Sequence, residues 1–322
     1  MKRFLVFILT AVSLLSPLQG QELRLEKIKF GDMNQWVTRE IKESIIIGGN
    51  TKKLYEIAPN MEYNGARAYI NMGGSPWASS NVYAKVAGIV KTSNAVWREE
   101  RSPGDYCCKM ETVMENVKAL GVINMDVMVS GSIFLGVVFE PISSTRSPYS
   151  KMEMGIPYTK RPDYLVYDYK VYVPADGQRV YSSGLGPKKK LPGQDYAEVY
   201  VLLQKRWEDA DGNLHAYRVG TGRERYARTC KEWQNGHKLE IHYGDITNKP
   251  FYKAFMGLIP EERAYYARNS KGKMVPVVEE GWANPDEIPT HVQVMASSGC
   301  GVAFEGTEGM ALWIDNIAFG FK

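Results

Sequence analysis

Between residues 163 and 174 the chain reads "DYLVYDYKVYVP", and its side chains alternate without a break. Leu165, Tyr167, Tyr169, Val171 and Val173 share one face, while Val166, Asp168, Lys170 and Tyr172 share the other. A period of two over so many β-branched and aromatic residues is the pattern of a half-buried strand. Pro174, with no N–H to give a ladder, ends it.

Working outward, the same period recurs. "AEVYVLLQKRW" sets Val199, Val201 and Leu203 against Tyr200, Leu202 and Gln204; "HKLEIHYG" and "THVQVMASSG" follow it, the latter aligning Val292, Val294 and Ala296. "DADGNL" at Asp209–Leu214 supplies a turn with Asp211-Gly212 at its tip. "METVMENVKALG" at Met110–Gly121 fits either a helix or a strand, with strand favoured. Short alternating strands with Gly and Pro turns, and no intervening helices, predict an all-β protein, a two-sheet β-sandwich or jelly roll. Asn60–Ser80 and Phe255–Asn284 break the rhythm and read as long loop excursions, where binding function often sits.

The first twenty residues, "MKRFLVFILTAVSLLSPLQG", have the charged start, short apolar run and small-residue exit of a secretory signal. The run is too short for an integral membrane span. The expected organisation is therefore a cleaved signal peptide over 1–20 and a single decorated β-sandwich domain over 21–322, exported to the periplasm or cell surface. The chain carries a formal charge of +4, and the signal removes two positive charges and no acid. A near-neutral remainder gives no electrostatic case for nucleic acid. The densest basic cluster, Lys188–Lys190, lies between prolines and reads as solvated loop charge. Four cysteines in so long a chain are not a disulfide scaffold; adjacent Cys107 and Cys108 are poor partners, and a bridge involving Cys230 or Cys300 is left open.

Reaction motifs are sparse. "HKLEIH" places two histidines on opposite faces of a strand, so a histidine-built catalytic metal is not expected. "SSGCGVAF" lacks the setting of a nucleophile elbow, and the glycine of "DADGN" comes two places too early for a calcium loop. Carboxylates remain, since a glycosidase pair can come from any two strands. Glu111, Glu115, Asp126, Asp168, Glu198 and Glu240 all qualify, which makes the signal weak.

Aromatic residues favour a sugar ligand, because pyranose C–H faces stack on flat side chains while hydroxyls seek amides and charges. "GGSPWASSNVYAKV" gathers Trp77, Ser79, Ser80, Asn81 and Tyr83 behind a Gly-Gly turn. "NAVWREERSP" sets Trp97 beside Arg98, and "EEGWANPDE" sets Trp282 near Asn284. Trp77 and Asn81 are expected to border a concave, solvent-reachable site.

"KFGDMNQWV", "GGSPWASSNVYAKVAGI", "KTSNAVW", "GIPYTKRPDYLVYDYKV", "AEVYVLLQKRW" and "MASSGCGVAFEGTEGMALWIDNIAF" together resemble the putative carbohydrate metabolism domain family of exported proteins in Gram-negative gut bacteria. The resemblance implies a jelly roll like that of carbohydrate-binding modules, and glycan handling at the cell envelope. It marks Trp77, Asn81, Asp168, Lys170, Ser297, Ser298 and Asp315 as motif positions and supplies no catalytic residues. With the aromatics, it makes Trp77, Asn81, Trp97, Asp168, Lys170 and Trp282 the expected carbohydrate-binding residues for an oligo- or polysaccharide. The reading is a glycan-binding protein; the alternatives are a glycoside hydrolase with a carboxylate pair and an envelope or fimbria-associated structural protein.

One oddity remains. Alternation in "GMALWIDNIAFGFK" puts Asp315 in line with Trp313, Ile317, Phe319 and Phe321, and in "KIKFGDMNQW" Asp32 follows Ile28 and Phe30. In a jelly roll the first and last strands can pair antiparallel, which would bring the two aspartates together. A buried carboxylate needs donors, a cation or a bulge. A structural calcium held by Asp32 and Asp315 is one expectation; a bulge whose N–H groups satisfy Asp315 is the other.

Overall fold

The structure is a computed structural model that describes residues 23–86, 88–119, 123–300 and 303–322; the signal expected over 1–20 lies outside them. The regular structure is strand, interrupted only by short 3-10 turns at Ile45–Ile47, Ala254–Met256 and Glu261–Arg263 among the described residues. No helix there is long and apolar enough to cross a membrane.

The strand read from "DYLVYDYKVYVP" is Tyr164–Tyr172, inside a seven-stranded sheet. Its neighbours are Cys230–Glu240 on one side and the closing strand Ala311–Phe321 on the other. Beyond the closing strand come Asp105–Ala119, then Val96–Ser102 and Ile123–Ser130. Met110–Ala119 is thus strand. The opposing ten-stranded sheet is built on Ala197–Glu208, Leu214–Tyr226 and His291–Ser297. Between the sheets Leu165, Tyr167, Leu312 and Ile314 meet Val199, Val201, Leu203 and Val294. Each fully buried aliphatic side chain contributes about 1.5–3 kcal/mol, so this layer is the main stabilising element. The chain is a β-sandwich.

The ten-stranded sheet also curls. Ser132–Val138 pairs with both His291–Ser297 and Met152–Met154, and the pairings run on through Tyr266–Arg268 and Met274–Trp282 to close a ring. The Phe255–Asn284 excursion, read as loop, therefore carries two strands of that ring. The face turned from the sandwich core is buried all the same at Gln204, Arg218 and Gln293, and so is the Glu279 side chain. Glu279 accepts from Arg218 Nε at 2.7 Å, Gln204 Nε2 at 2.6 Å and Ile259 N–H at 2.7 Å, so a buried charge pair is satisfied there.

The first strand, Arg24–Lys27, does pair antiparallel with the closing strand, from Arg24 opposite Phe321 to Lys27 opposite Ala318. It then stops. Ile28–Asn34 is a turn in which Phe30 and Met33 take φ of 59° and 50°, and Asp32 is exposed. The closing strand departs from simple alternation too. Ile314 and Ile317 both face the core although three positions apart, which requires an inserted residue. Asn316 provides it with φ of 52°, an angle asparagine tolerates better than most side chains. The register against Tyr164–Tyr172 shifts at the same place. Trp313 and Asp315 are thereby on the outer face, not in line with Ile317, Phe319 and Phe321.

Candidate functional site

Residues at the ends of the ring's strands line a cleft of about 650 Å³. Arg206, Leu214, Ala267 and His291 form its walls, and Ile70 to Pro76 of the Asn60–Ser80 loop contribute to its edge. A second recess of about 390 Å³ shares Arg206 and Trp207 with the first and adds Lys205, Tyr217, Trp282 and Asn284. Both excursions thus border the same concavity.

Its aromatic element follows from one hairpin. Asp209 accepts hydrogen bonds from the Asp211 and Asn213 N–H groups, at 3.0 and 2.8 Å, which fixes the turn. That turn sets Trp207 opposite His215 and brings Tyr217 beside it. The rings of Trp207 and His215 stack at 5.4 Å, and Tyr217 lies 4.8 Å from Trp207. Trp207 remains 36% exposed and Tyr217 42%, a flat aromatic surface at the rim.

Most charges in the cleft are spoken for. Arg268 Nε donates to Glu153 at 2.8 Å, Lys205 to Glu287 at 2.8 Å, and Ser270 donates to Glu208 through its N–H and hydroxyl. Glu208 and Glu287 are held below the usual carboxylate range, by Ser270 and by Lys205 respectively. Burial, aided by the Arg206 charge, pushes His291 down to about 4, so it is neutral at physiological pH. Arg206 differs. It donates from Nε to Gln204 Oε1 and from Nη2 to the Met154 carbonyl, both at 2.9 Å, and makes no ion pair among the described residues.

The outer face of the seven-stranded sheet carries a different aromatic cluster. Register aligns Trp97 with Lys109, Lys109 with Trp313, and Trp313 with Lys170. Lys109 Nζ lies 5.6 and 5.5 Å from the Trp97 and Trp313 rings; Lys170 Nζ lies 4.6 and 5.4 Å from Trp313 and Trp233. Arg101 covers Trp233 at 4.1 Å. The indoles and cations here serve one another. Asp168 and Lys170 do lie on the face opposite Tyr167 and Tyr169, and with Trp97 they belong to this ladder, not to the cleft.

Asp315, 0% exposed, has Asp168 as its cross-strand neighbour. Arg101 Nη1 donates to both, at 2.6 and 2.7 Å. Asp315 also accepts from the Asn316 N–H at 2.8 Å, and Asp168 from the Gly236 N–H at 2.6 Å. Burial pushes Asp315 up to about 6 despite Arg101. For Asp168 burial acts in the same direction, but the Gly236 N–H, Arg101 and Asn316 outweigh it and hold it low. The expected Asp32–Asp315 calcium pair is thus corrected: Asp32 is on an exposed turn, and a guanidinium with a bulge N–H satisfies Asp315. No cluster of three or more metal-ligating side chains occurs among the described residues.

Trp77 and Asn81 are corrected as well. Trp77 is 2% exposed, with Nε1 donating to the Lys29 carbonyl at 2.9 Å. The Asn81 amide donates to the Tyr55 and Val96 carbonyls and accepts from the Ala95 and Val96 N–H groups. Every polar group that could meet a sugar is consumed, and the pair ties loops to the core. Ser297 and Ser298 are buried, and Ser298 bonds Thr112 at 2.9 Å. All four cysteines are free. Of the expected binding residues, Trp282 alone lines either concavity, at the second recess. Trp207 and Arg206 line the cleft but are not among the expected residues, because "AEVYVLLQKRW" reads as core strand; its polar "QKRW" end, just before a turn, is the available signal.

Residues 44–249 match the family model of the putative carbohydrate metabolism domain. No curated protein matches. Among solved structures, one called a putative glycoside hydrolase from Bacteroides thetaiotaomicron VPI-5482 is similar at 18% identity and TM-score 0.46, over 84% of this chain and 75% of that one. Another called a putative glycoside hydrolase, from Bacteroides vulgatus ATCC 8482, is similar at 15% identity and TM-score 0.43, over 74% and 89%. The chain belongs to the putative carbohydrate metabolism domain family.

Proposed function

We propose that this member of the putative carbohydrate metabolism domain family is an exported glycan-binding protein that captures an oligo- or polysaccharide at the cell envelope. The observation that carries the reading is the rim of the cleft: exposed Trp207, flanked by Tyr217, beside a concavity with amide and charged groups at hand. Such a surface offers both halves of sugar recognition, an aromatic plane for C–H faces and fixed polar groups for hydroxyls. Export rests on the leader-like first twenty residues.

Capture is favoured over hydrolysis by the state of the carboxylates. A glycosidase needs one acid whose pKa is raised toward its working pH, facing a second carboxylate across the substrate. Glu208 and Glu287 are instead held low, and Glu153 is bound by Arg268. Asp315 and Glu56 are raised, to about 6 and about 7, but Asp315 is enclosed under Arg101, and Glu56 is buried with Glu140 around Arg39 at a recess of only about 10 Å³, too small for a sugar. A glycan array followed by calorimetry on the hits tests the reading. Trp207→Ala is expected to weaken binding of every hit; hits that bind equally well without the indole would overturn the cleft as the site.

A further inference from the structure

We propose that the cleft selects acidic glycans, those bearing a carboxylate or sulfate group, and that Arg206 is the residue that receives the anion. The inference rests on the glycan reading of the cleft and adds the class of ligand. Its starting point is the difference between Arg206 and the other cations nearby. Lys205 has Glu287, Arg268 has Glu153 and Arg218 has Glu279, whereas Arg206 bonds only the neutral Gln204 amide and Met154 carbonyl. A guanidinium offers five N–H donors in a planar fork suited to two oxygens of one anion. Two of those donors are used here, and Nη1 has no partner among the described residues.

The position of Arg206 is built. Gln204 gives its amide N–H to Glu279 at 2.6 Å, and that orientation turns its oxygen to Arg206 Nε. Gln293 donates to the same oxygen at 3.3 Å. On the other side, Gly155 has φ of +90°, and a Cβ there would lie 2.6 Å from Arg206 Nη2. Glycine at 155 therefore leaves the room in which the guanidinium sits. Neutral His291, on the same wall, adds a polar atom without competing for the anion. The charges of Glu279 and Glu153 reach Arg206 only at longer range, and each is held by another arginine. A half-buried cation that makes no direct ion pair among the described residues gains most from a ligand that brings its own anion.

The test pairs ligands that differ only in charge: oligogalacturonides against their methyl esters, and dextran sulfate against dextran, titrated into the mature protein at low and moderate salt. An acidic member that binds about tenfold or more tightly than its neutral partner, with the gap narrowing in salt, is the expected result. Arg206→Gln should erase the gap, and Arg206→Lys should restore part of it; the second variant keeps the test alive if the first does not fold. Equal binding within each pair, no binding by any of them, or a gap that persists in Arg206→Gln overturns the proposal. The glycan reading fails separately: neutral glycans that bind and lose affinity in Trp207→Ala uphold that reading even when Arg206 has no effect.

Discussion

The two exposed faces of the sandwich use the same residue types to opposite ends. On the seven-stranded sheet Trp97, Trp313 and Trp233 alternate with Lys109, Lys170 and Arg101, and Asp168 and Asp315 share one guanidinium. On the ring side, Trp207 remains exposed beside an Arg206 that makes no ion pair among the described residues. Tryptophans and charges that satisfy one another make a sheet surface; those left over are what the proposed site is built on. Residue type alone gives no hint which is which. The partners decide, and most of them are far away in the sequence.

The largest expected effect breaks the comparison at its core. Trp77→Ala should cost about 3–5 kcal/mol in urea unfolding, the usual range for emptying a buried indole, and leave the glycan affinity of the folded fraction unchanged. Retained stability with lost binding would return Trp77 to the role its sequence setting first gave it. Arg101→Ala comes next, at about 3 kcal/mol, because it strands two carboxylates beside each other. The cost should shrink in an Asp315→Asn background, where only one charge is left without its partner. Arg206→Gln leaves no acid stranded and should cost about 1 kcal/mol. Equal costs at the two arginines would dissolve the contrast between the faces.

The fold was legible because alternation is local. Leu165, Tyr167 and Val171 face the core as a period of two demands, and so do Val199, Val201 and Leu203. The bulge was not legible, since nothing in "WIDNIAF" states that Asn316 will take a positive φ; only the need to seat both Ile314 and Ile317 requires it. Trp77 and Asn81 misled for a related reason: their partners Lys29, Tyr55 and Val96 lie 48, 26 and 15 residues away. Trp282 is legible as a cleft candidate because it stands in a loop-like setting, and Trp207 is not because its strand is mostly core. Both excursions border the cleft, whereas Trp77 and Asn81 of the first are buried.

A middle-sized effect sharpens the functional half of the contrast. Trp207→Ala should lower glycan affinity by about 1 to 3 kcal/mol, as for an aromatic anchor, while Trp313→Ala should leave it unchanged and affect only stability. Both are surface indoles, so a general loss of hydrophobic surface predicts the same result for each. Calorimetry on one ligand with both variants distinguishes the two accounts, and a loss at Trp313 would move the site to the ladder.

The smallest effect concerns the two aspartates under Arg101, which should respond to pH with opposite signs. Burial raises Asp315 from 3.8 to about 6, so the folded state holds its proton more tightly than the unfolded chain does. Its contribution is fully present below about pH 4 and is lost as pH rises through about 6. Asp168 is held below 3.8, burial being outweighed by the Gly236 N–H, Arg101 and Asn316; its contribution is present above 3.8 and lost as pH falls. Melting curves from pH 2 to pH 7 should therefore show Asp315→Asn gaining on the parent protein as pH rises above about 4, while Asp168→Asn trails the parent by a steady margin above about pH 4 and closes that gap only below it. Parallel profiles for Asp315→Asn and the parent above about pH 4 would mean that Arg101 already holds Asp315 ionised throughout. The ladder would then match its charges fully at every pH in that range, and the contrast with the unpaired Arg206 would be sharper still.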